Sequence, residues 1–263
     1  MSVKTIVLAG FGINCELETK VAFERAGAEA TCVHLTDLMA NPQSLHDYEI
    51  LAIPGGFSYG DDVASGKIFA NRMRHRLGDA LTQFAQDGKL AIGICNGFQV
   101  MVKMGLLPFF EGDLTQEVTL THNDSDRFED RWVNLKKDPA TSCVWLKDID
   151  TLESPIRHGE GKFIPRDDDT LKRLQDNGQI VFRYADASGG EANGLFPQNP
   201  NGSVDDIAGI CDPSGRLFGL MPHPEAFISA TNHPAWTRNG TLPEEGAGLQ
   251  MFRNAVEYTA VGV

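Results

Sequence analysis

The residues best suited to chemistry are Gly93-Ile94-Cys95-Asn96-Gly97, at the end of the strand-length apolar run Leu90 to Ile94 and ahead of an apolar pattern at helical spacing. Gly-x-Cys-x-Gly is the thiol form of the nucleophile elbow. Small residues on either side of the central one let the backbone turn sharply, which leaves that side chain at the carboxyl end of a sheet strand. A thiol held there lies near the amino terminus of the next helix, whose unpaired N–H groups favour thiolate and can bind an oxyanion. Cys95 alone is equally well read as a buried structural cysteine, because free cysteine packs as a small hydrophobe. The chemistry needs a base and a second oxyanion donor from elsewhere in the chain.

A base is available in Met221-Pro222-His223-Pro224-Glu225. Prolines on both sides of the histidine exclude a regular helix and predict an extended segment, in which positions two apart project to the same side. His223 and Glu225 are then neighbours, the carboxylate fixing the ring tautomer while the other nitrogen faces outward. The same segment can also be read as a surface turn with an incidental ion pair. As a metal site it lacks a third ligand at local spacing. A second donor is available in Pro54-Gly55-Gly56-Phe57, where paired glycines let backbone N–H groups turn inward. By itself this is a tight loop; next to a thiol elbow, Gly56 and Asn96 become the candidate oxyanion pair.

These groups need a sheet to position them. Thr5 to Ala9 is a short continuous apolar run that predicts a buried parallel strand, and Ala30 to Leu35 and Glu49 to Ile53 predict further strands alongside Leu90 to Ile94. Helices are predicted over 16–26 (with Leu17, Val21 and Ala22 at helical spacing and Gly27 as the stop), over 68–86, and from the elbow to Met104 before Gly105. Beyond residue 105 the pattern shortens and alternates. Glu117 to Thr121, Arg131 to Leu135 and Cys143 to Leu146 predict antiparallel strands added to the sheet. Arg157 to Gly161 reads as a polar loop, Asp167 to Asp169 as a helix cap, Gln179 to Tyr184 as a strand and Asn199 to Ser203 as a turn. Ile207 to Cys211 and Leu217 to Met221 read as a hairpin. Residues 226–248 predict an ordered loop that packs Trp236, and 249–260 a terminal helix. The whole, 1–263, is read as one domain, with no internal repeat.

Composition narrows the function. With 23 basic and 36 acidic residues the net charge is −13, which lacks the basic footprint needed to bind nucleic acid. No apolar stretch approaches the ~20 residues of a membrane span, and the chain begins without a signal-peptide pattern. Five scattered cysteines with no Cys-x-x-Cys fit reduced thiols in a cytoplasmic protein and predict no metal site. Gly10-Phe11-Gly12 has Cys15 where a dinucleotide fingerprint needs its third glycine. Gly66-Lys67-Ile68 follows Gly60 at the wrong interval and lacks the hydroxyl of a phosphate loop. Arg72, Arg74 and Arg76 read as a solvated helix face.

Elbow thiol, Gly-Gly loop and late His-x-Glu together resemble the class I (triad) glutamine amidotransferases. The stretches Phe57 to Asp61, Gly93 to Gln99, Arg127-Phe128, Pro155 to Gly161, Val181 to Tyr184, Asn199 to Ser203 and Gly219 to Glu225 resemble, in order, the PurQ-like glutaminase subunits of phosphoribosylformylglycinamidine synthase. That resemblance implies an α/β fold of flavodoxin-like type: an open, mainly parallel sheet with helices on both faces and added antiparallel strands. It implies a glutaminase in which Cys95 attacks the glutamine carboxamide, His223 is the base and Glu225 orients it. Gly56 and Asn96 would hold the oxyanion, and Gly55 and Gln99 would contact substrate. It further implies no cofactor in this chain. ATP and magnesium would be used by a large PurL-like synthetase partner, accompanied by a small PurS-like subunit. Ala226 stands where such proteins usually carry a basic residue. Another triad amidotransferase and a catalytically silent scaffold subunit are the alternatives; the Phe57 to Asp61 and His158 to Gly161 stretches argue against the first, and intact Cys95, His223 and Glu225 against the second.

Overall fold

The computed structural model describes residues 2–238 and 244–262. In chain order the first part is β1 (Lys4–Ala9), α1 (Glu16–Arg25), β2 (Glu29–His34), α2 (Leu35–Ala40), β3 (Ile50–Ile53), α3 (Lys67–Gln86), β4 (Leu90–Ile94) and α4 (Asn96–Met104). The second part is β5 (Val118–Thr121), β6 (Glu129–Lys137), β7 (Thr151–His158), β8 (Lys162–Pro165), α5 (Asp168–Asp176), β9 (Ile180–Ala185), β10 (Ile207–Cys211), β11 (Leu217–Leu220) and α6 (Leu249–Ala260). Nine of the strands form one sheet in the order β2-β1-β3-β4-β11-β10-β9-β6-β7. It is parallel from β2 to β11 and antiparallel from β11 to β7. The sheet is thus mixed: the predicted antiparallel strands, the hairpin and those beyond it, are added to the parallel half.

Every residue of β3, β4 and β11 is buried, as expected of strands covered on both faces. One helical layer pairs α1 with α6 through the edge-to-face rings of Phe23 and Phe252, 5.0 Å apart; another pairs α3 with α4. The parallel strand order reverses between β1 and β3, since β2 lies to one side and β3 and β4 to the other. In doubly wound sheets the crevice beyond the carboxyl ends of the strands at such a point is where ligands bind. The loops carrying Cys15, Gly56, Cys95 and His223 all leave β1, β3, β4 and β11 at that edge.

Some local expectations change. In α1 the buried face is Thr19, Ala22 and Phe23, whereas Leu17 and Val21 are exposed, so the leucine and valine spacing did not mark the core side. Cys143 to Leu146 is not a strand but a short 3₁₀ turn. Cys143 and Trp145 are buried, but the segment has no strand partner; its Val144 N–H donates to Gly215 O at 3.1 Å and the Trp145 indole to Arg216 O at 2.9 Å. The outer strand is instead β7, which contains Pro155 and ends in Arg157-His158. An edge position tolerates the missing N–H of proline. The strand β5 pairs only with β8, in a separate two-stranded sheet. Trp236 is exposed rather than packed. The aromatic contact in this region is made by Trp132, whose ring meets Phe227 and His233 at 5.1 and 4.7 Å. Part of the 226–248 loop, residues 239–243, lies outside the described residues.

Candidate active site

Cys95 stands between β4 and α4 with φ 50° and ψ −105°, a backbone conformation rare for a residue with a side chain. Two glycines make it attainable. A Cβ at Gly97 would lie 1.8 Å from the Ile53 carbonyl oxygen, and one at Gly93 2.6 Å from Met101 Sδ, so only hydrogen fits where α4 crosses β3. The Cys95 N–H donates to Leu220 O at 2.8 Å, which ties the elbow to β11, and the Cys95 carbonyl accepts from Gln99 N–H at 3.1 Å to start the helix. The thiol itself points at the carbonyl of Arg157, 3.6 Å away.

The strand β11 delivers His223, whose N–H donates to Pro155 O at 2.8 Å. Its ring Nδ1–H donates to Glu225 Oε1 at 2.6 Å, and both side chains are almost fully buried. They meet through a 3₁₀ turn at Pro224–Ala226 rather than through an extended segment, a tighter route to the predicted juxtaposition. Burial alone would lower the His223 pKa; the Glu225 carboxylate and, next, the Cys95 sulfur outweigh it, so the imidazole holds its proton well above the ordinary value of 6.5. Nε2 of the ring is buried with no hydrogen-bond partner, as is Oε2 of Glu225.

Gly56 comes from the β3 loop, which is held against the β1 loop. Phe57 N–H donates to Gly12 O at 2.8 Å, and Asn14 and Cys15 N–H both donate to Gly55 O at 3.2 Å. At Gly56 a Cβ would lie 2.5 Å from Gly12 O. Among the described residues, neither the Gly56 N–H nor the Asn96 N–H donates to a protein acceptor, as expected for Asn96 in the first turn of its helix. The Cys95 thiol, the His223–Glu225 pair and the Gly56 and Asn96 amides, predicted from three separate stretches, thus gather at one end of the sheet.

Gln99, the candidate substrate contact, is buried beside the elbow. Its Oε1 accepts from Asn96 Nδ2 at 2.9 Å and its Nε2 donates to Glu160 O at 2.5 Å, with 2% of its surface exposed. It clamps the elbow to the turn after β7. A buried ion pair extends that clamp: Lys103 of α4 faces Glu160 at 3.7 Å and donates to Ser65 O, while Ser65 N–H donates to the Glu160 carboxylate. Nothing in the sequence marked Lys103 or Ser65. Glu160, between two glycines, was the visible part.

His158 at the end of β7 is buried, its pKa lowered to about 3 by burial and then by the positive charge of His223. It is therefore a neutral imidazole, with Nδ1 3.2 Å from Asn123 Oδ1. In the unfolded chain it titrates near 6.5, so the unfolded state binds the extra proton between those values. Stability from this group is complete above pH 6.5 and is lost as pH falls towards 3, about 2 kcal/mol of it by pH 5. Urea unfolding at pH 7 and pH 5 is expected to give a smaller acid-induced loss for His158→Gln than for the parent. An equal loss in both would place the acid sensitivity elsewhere.

Fold and site together describe a doubly wound α/β protein with an elbow thiol beside a buried histidine–glutamate pair. Residues 2–259 match the CobB/CobQ-like glutamine amidotransferase domain. The chain is 48% identical over 265 residues to the PurQ subunit of phosphoribosylformylglycinamidine synthase from Methanococcus maripaludis, with 97% of each chain covered. It is 46% identical over 256 residues to the PurQ subunit of Dehalococcoides mccartyi, again with 97% of each covered. Among solved structures, PurLQS from Thermotoga maritima matches with a TM-score of 0.72 at 30% identity, covering 98% of this chain and 100% of that one. A Thermotoga maritima glutamine amidotransferase shares the fold at a TM-score of 0.54 and 13% identity, covering 100% of both chains. The chain belongs to the glutamine amidotransferases and, among them, to the PurQ subunits of phosphoribosylformylglycinamidine synthase.

Proposed function

We propose that this chain hydrolyses L-glutamine to glutamate and hands the ammonia to a synthetase subunit, which uses it with ATP to convert formylglycinamide ribonucleotide to formylglycinamidine ribonucleotide in purine biosynthesis. The observation that carries this is the His223–Glu225 pair at 2.6 Å, gathered with the elbow thiol and two free amides at one sheet edge. His223 takes the proton of Cys95 and the thiolate attacks the carboxamide carbon. The amides of Gly56 and Asn96 hold the oxygen that becomes negative. His223, held as imidazolium by Glu225, then gives its proton to the leaving ammonia. Water, activated by the neutral ring, hydrolyses the glutamyl thioester and frees Cys95. Gly55, against the His223 ring, and the backbone around Gln99 shape the substrate cleft. This chain needs no cofactor for these steps; ATP and magnesium act on the synthetase. The relationship to the Thermotoga maritima PurLQS structure supports assembly with a PurL-like synthetase and a small PurS-like subunit, and purine synthesis supports a cytoplasmic setting.

The thiol rests on the Arg157 carbonyl at 3.6 Å, and the turn after that carbonyl is held by Gln99 and Lys103. A partner that moves the Arg157 to Gly161 turn would change how the thiol is held beside the base. Glutaminase turnover by the isolated chain is therefore expected to be low and to rise by one to three orders of magnitude on addition of the synthetase, measured as glutamate release. Full turnover without a partner would remove the gating. Failure to form a complex with any formylglycinamide ribonucleotide synthetase would remove the assignment of pathway.

A further inference from the structure

Cys15 takes no part in the steps above, yet it lies beside the base. It ends the β1 loop, buried, with its N–H on Gly55 O and its Sγ 3.3 Å from Asn14 Oδ1. The Cys15 sulfur, a ring nitrogen of His223 and a carboxylate oxygen of Glu225 all lie within 4.8 Å of one another. Gly55 leaves the space: a Cβ there would come within 2.7 Å of His223 Cε1 and 3.3 Å of Cys15 Sγ. A second observation points to a ligand. Nε2 of His223 and Oε2 of Glu225 are both buried without a hydrogen-bond partner, so the cluster holds polar atoms that no protein group satisfies. The third ligand that local spacing around His223 does not provide comes from the other end of the chain.

We propose that Cys15, His223 and Glu225 form a binding site for a divalent cation of the zinc class, and that its occupancy switches the glutaminase off. The inference rests on the reading of His223 as the base. Sulfur, imidazole and carboxylate donors suit zinc and cobalt, whereas magnesium and calcium require oxygen ligands. Metal bonds of ~2.0–2.3 Å set donors of a tetrahedral ion roughly 3.2–3.8 Å apart. Side chains already within 4.8 Å reach that by small rotations. On binding, the Cys15 thiol gives its proton to solvent, as does the ring if it is charged. Thiolate and carboxylate then balance the two positive charges of the ion. The ring nitrogen that holds the ion has no lone pair left for the Cys95 proton, so attack on glutamine stops until the metal is removed.

Cobalt(II) is the probe, added to the chelator-stripped full-length chain. One equivalent is expected to bind at micromolar concentration, giving thiolate-to-cobalt absorption in the near ultraviolet and tetrahedral bands in the visible. Cys95→Ala is expected to keep both features and Cys15→Ser to lose them. In the parent protein, zinc is expected to slow alkylation of Cys15 by iodoacetamide at least tenfold, read by peptide mass spectrometry; this needs no variant to fold. Zinc at the same concentration is expected to inhibit glutaminase in the partner-bound chain, with EDTA restoring it. Bands that survive Cys15→Ser, bands that vanish with Cys95→Ala, no metal uptake, or unprotected Cys15 would each overturn the site. Binding without inhibition would overturn the switch. A metal-free parent complex without glutaminase activity would instead count against the functional reading and leave the cobalt bands in place.

Discussion

Cys95→Ser is expected to lower glutamine hydrolysis by the partner-bound chain ~10⁴-fold or more, while synthesis from added ammonium salt continues. Removing the nucleophile of a catalytic unit removes nearly all that the unit contributes. Serine keeps the shape: the N–H to Leu220 O and the carbonyl to Gln99 N–H are backbone bonds, and Gly93 and Gly97 still permit the positive φ. What changes is acidity. A hydroxyl yields its proton several orders of magnitude less readily than a thiol, and the His223–Glu225 pair is built to accept a proton from sulfur. Ammonium rescue separates loss of chemistry from loss of assembly. Glutamate release within tenfold of the parent would show that the carboxamide is attacked by some other group.

Glu225→Gln is expected to cost 10²–10⁴-fold in kcat with little change in KM, by analogy with the loss of the orienting carboxylate in other triads. The amide keeps the volume, and its NH₂ can face Nδ1, which favours the wrong ring tautomer. It also removes the largest influence holding the His223 proton in place. Burial, the opposing cause, then prevails and the histidine pKa falls. In the parent, where the folded value lies above the unfolded 6.5, stability from this group is present in full below 6.5 and is lost as pH rises through the folded value. The parent's stability advantage over Glu225→Gln should therefore shrink at high pH, which denaturant unfolding across the alkaline range would measure. The ring proton resonances of His223 should titrate at lower pH in the variant. An unchanged titration would mean that Glu225 does not control the ring. Breaking a buried charged pair can cost ~3–5 kcal/mol, so His223→Gln/Glu225→Gln, which removes the charge altogether, is the companion for reading activity against stability.

Groups that act through covalent neighbours were readable in the chain. Gly93, Cys95 and Gly97 stand within five residues, and their sizes alone demand a tight turn between a strand and a helix. His223 and Glu225 are two apart, so their pairing survived an error about the backbone between them. The apolar runs of β1, β3 and β4 likewise announced strands buried on both faces, because nothing but a covered parallel sheet accepts such runs.

Contacts between distant segments were not readable. Periodicity put Leu17, Val21 and Ala22 at helical spacing in α1, and of these only Ala22 is buried. The contact of Phe23 with Phe252, from opposite ends of the chain, decided the buried face. Alternation at Cys143 to Leu146 could not say that no strand would lie alongside, and the adjacent Trp145 and Leu146 are both buried. The bond from the Gln99 side chain to the Glu160 carbonyl likewise joins distant segments.

The sequence by itself determined the elbow thiol, the histidine with its carboxylate neighbour and the loop glycines, since each is specified by residue type at short spacing. Only the tertiary structure decided what surrounds them: Cys15 against His223, and Lys103 against Glu160 beneath the turn that receives the thiol. The reversal of strand order between β1 and β3 brings loops from across the chain to one sheet edge. Neighbours made by topology rather than by spacing leave no local trace in the order of residues.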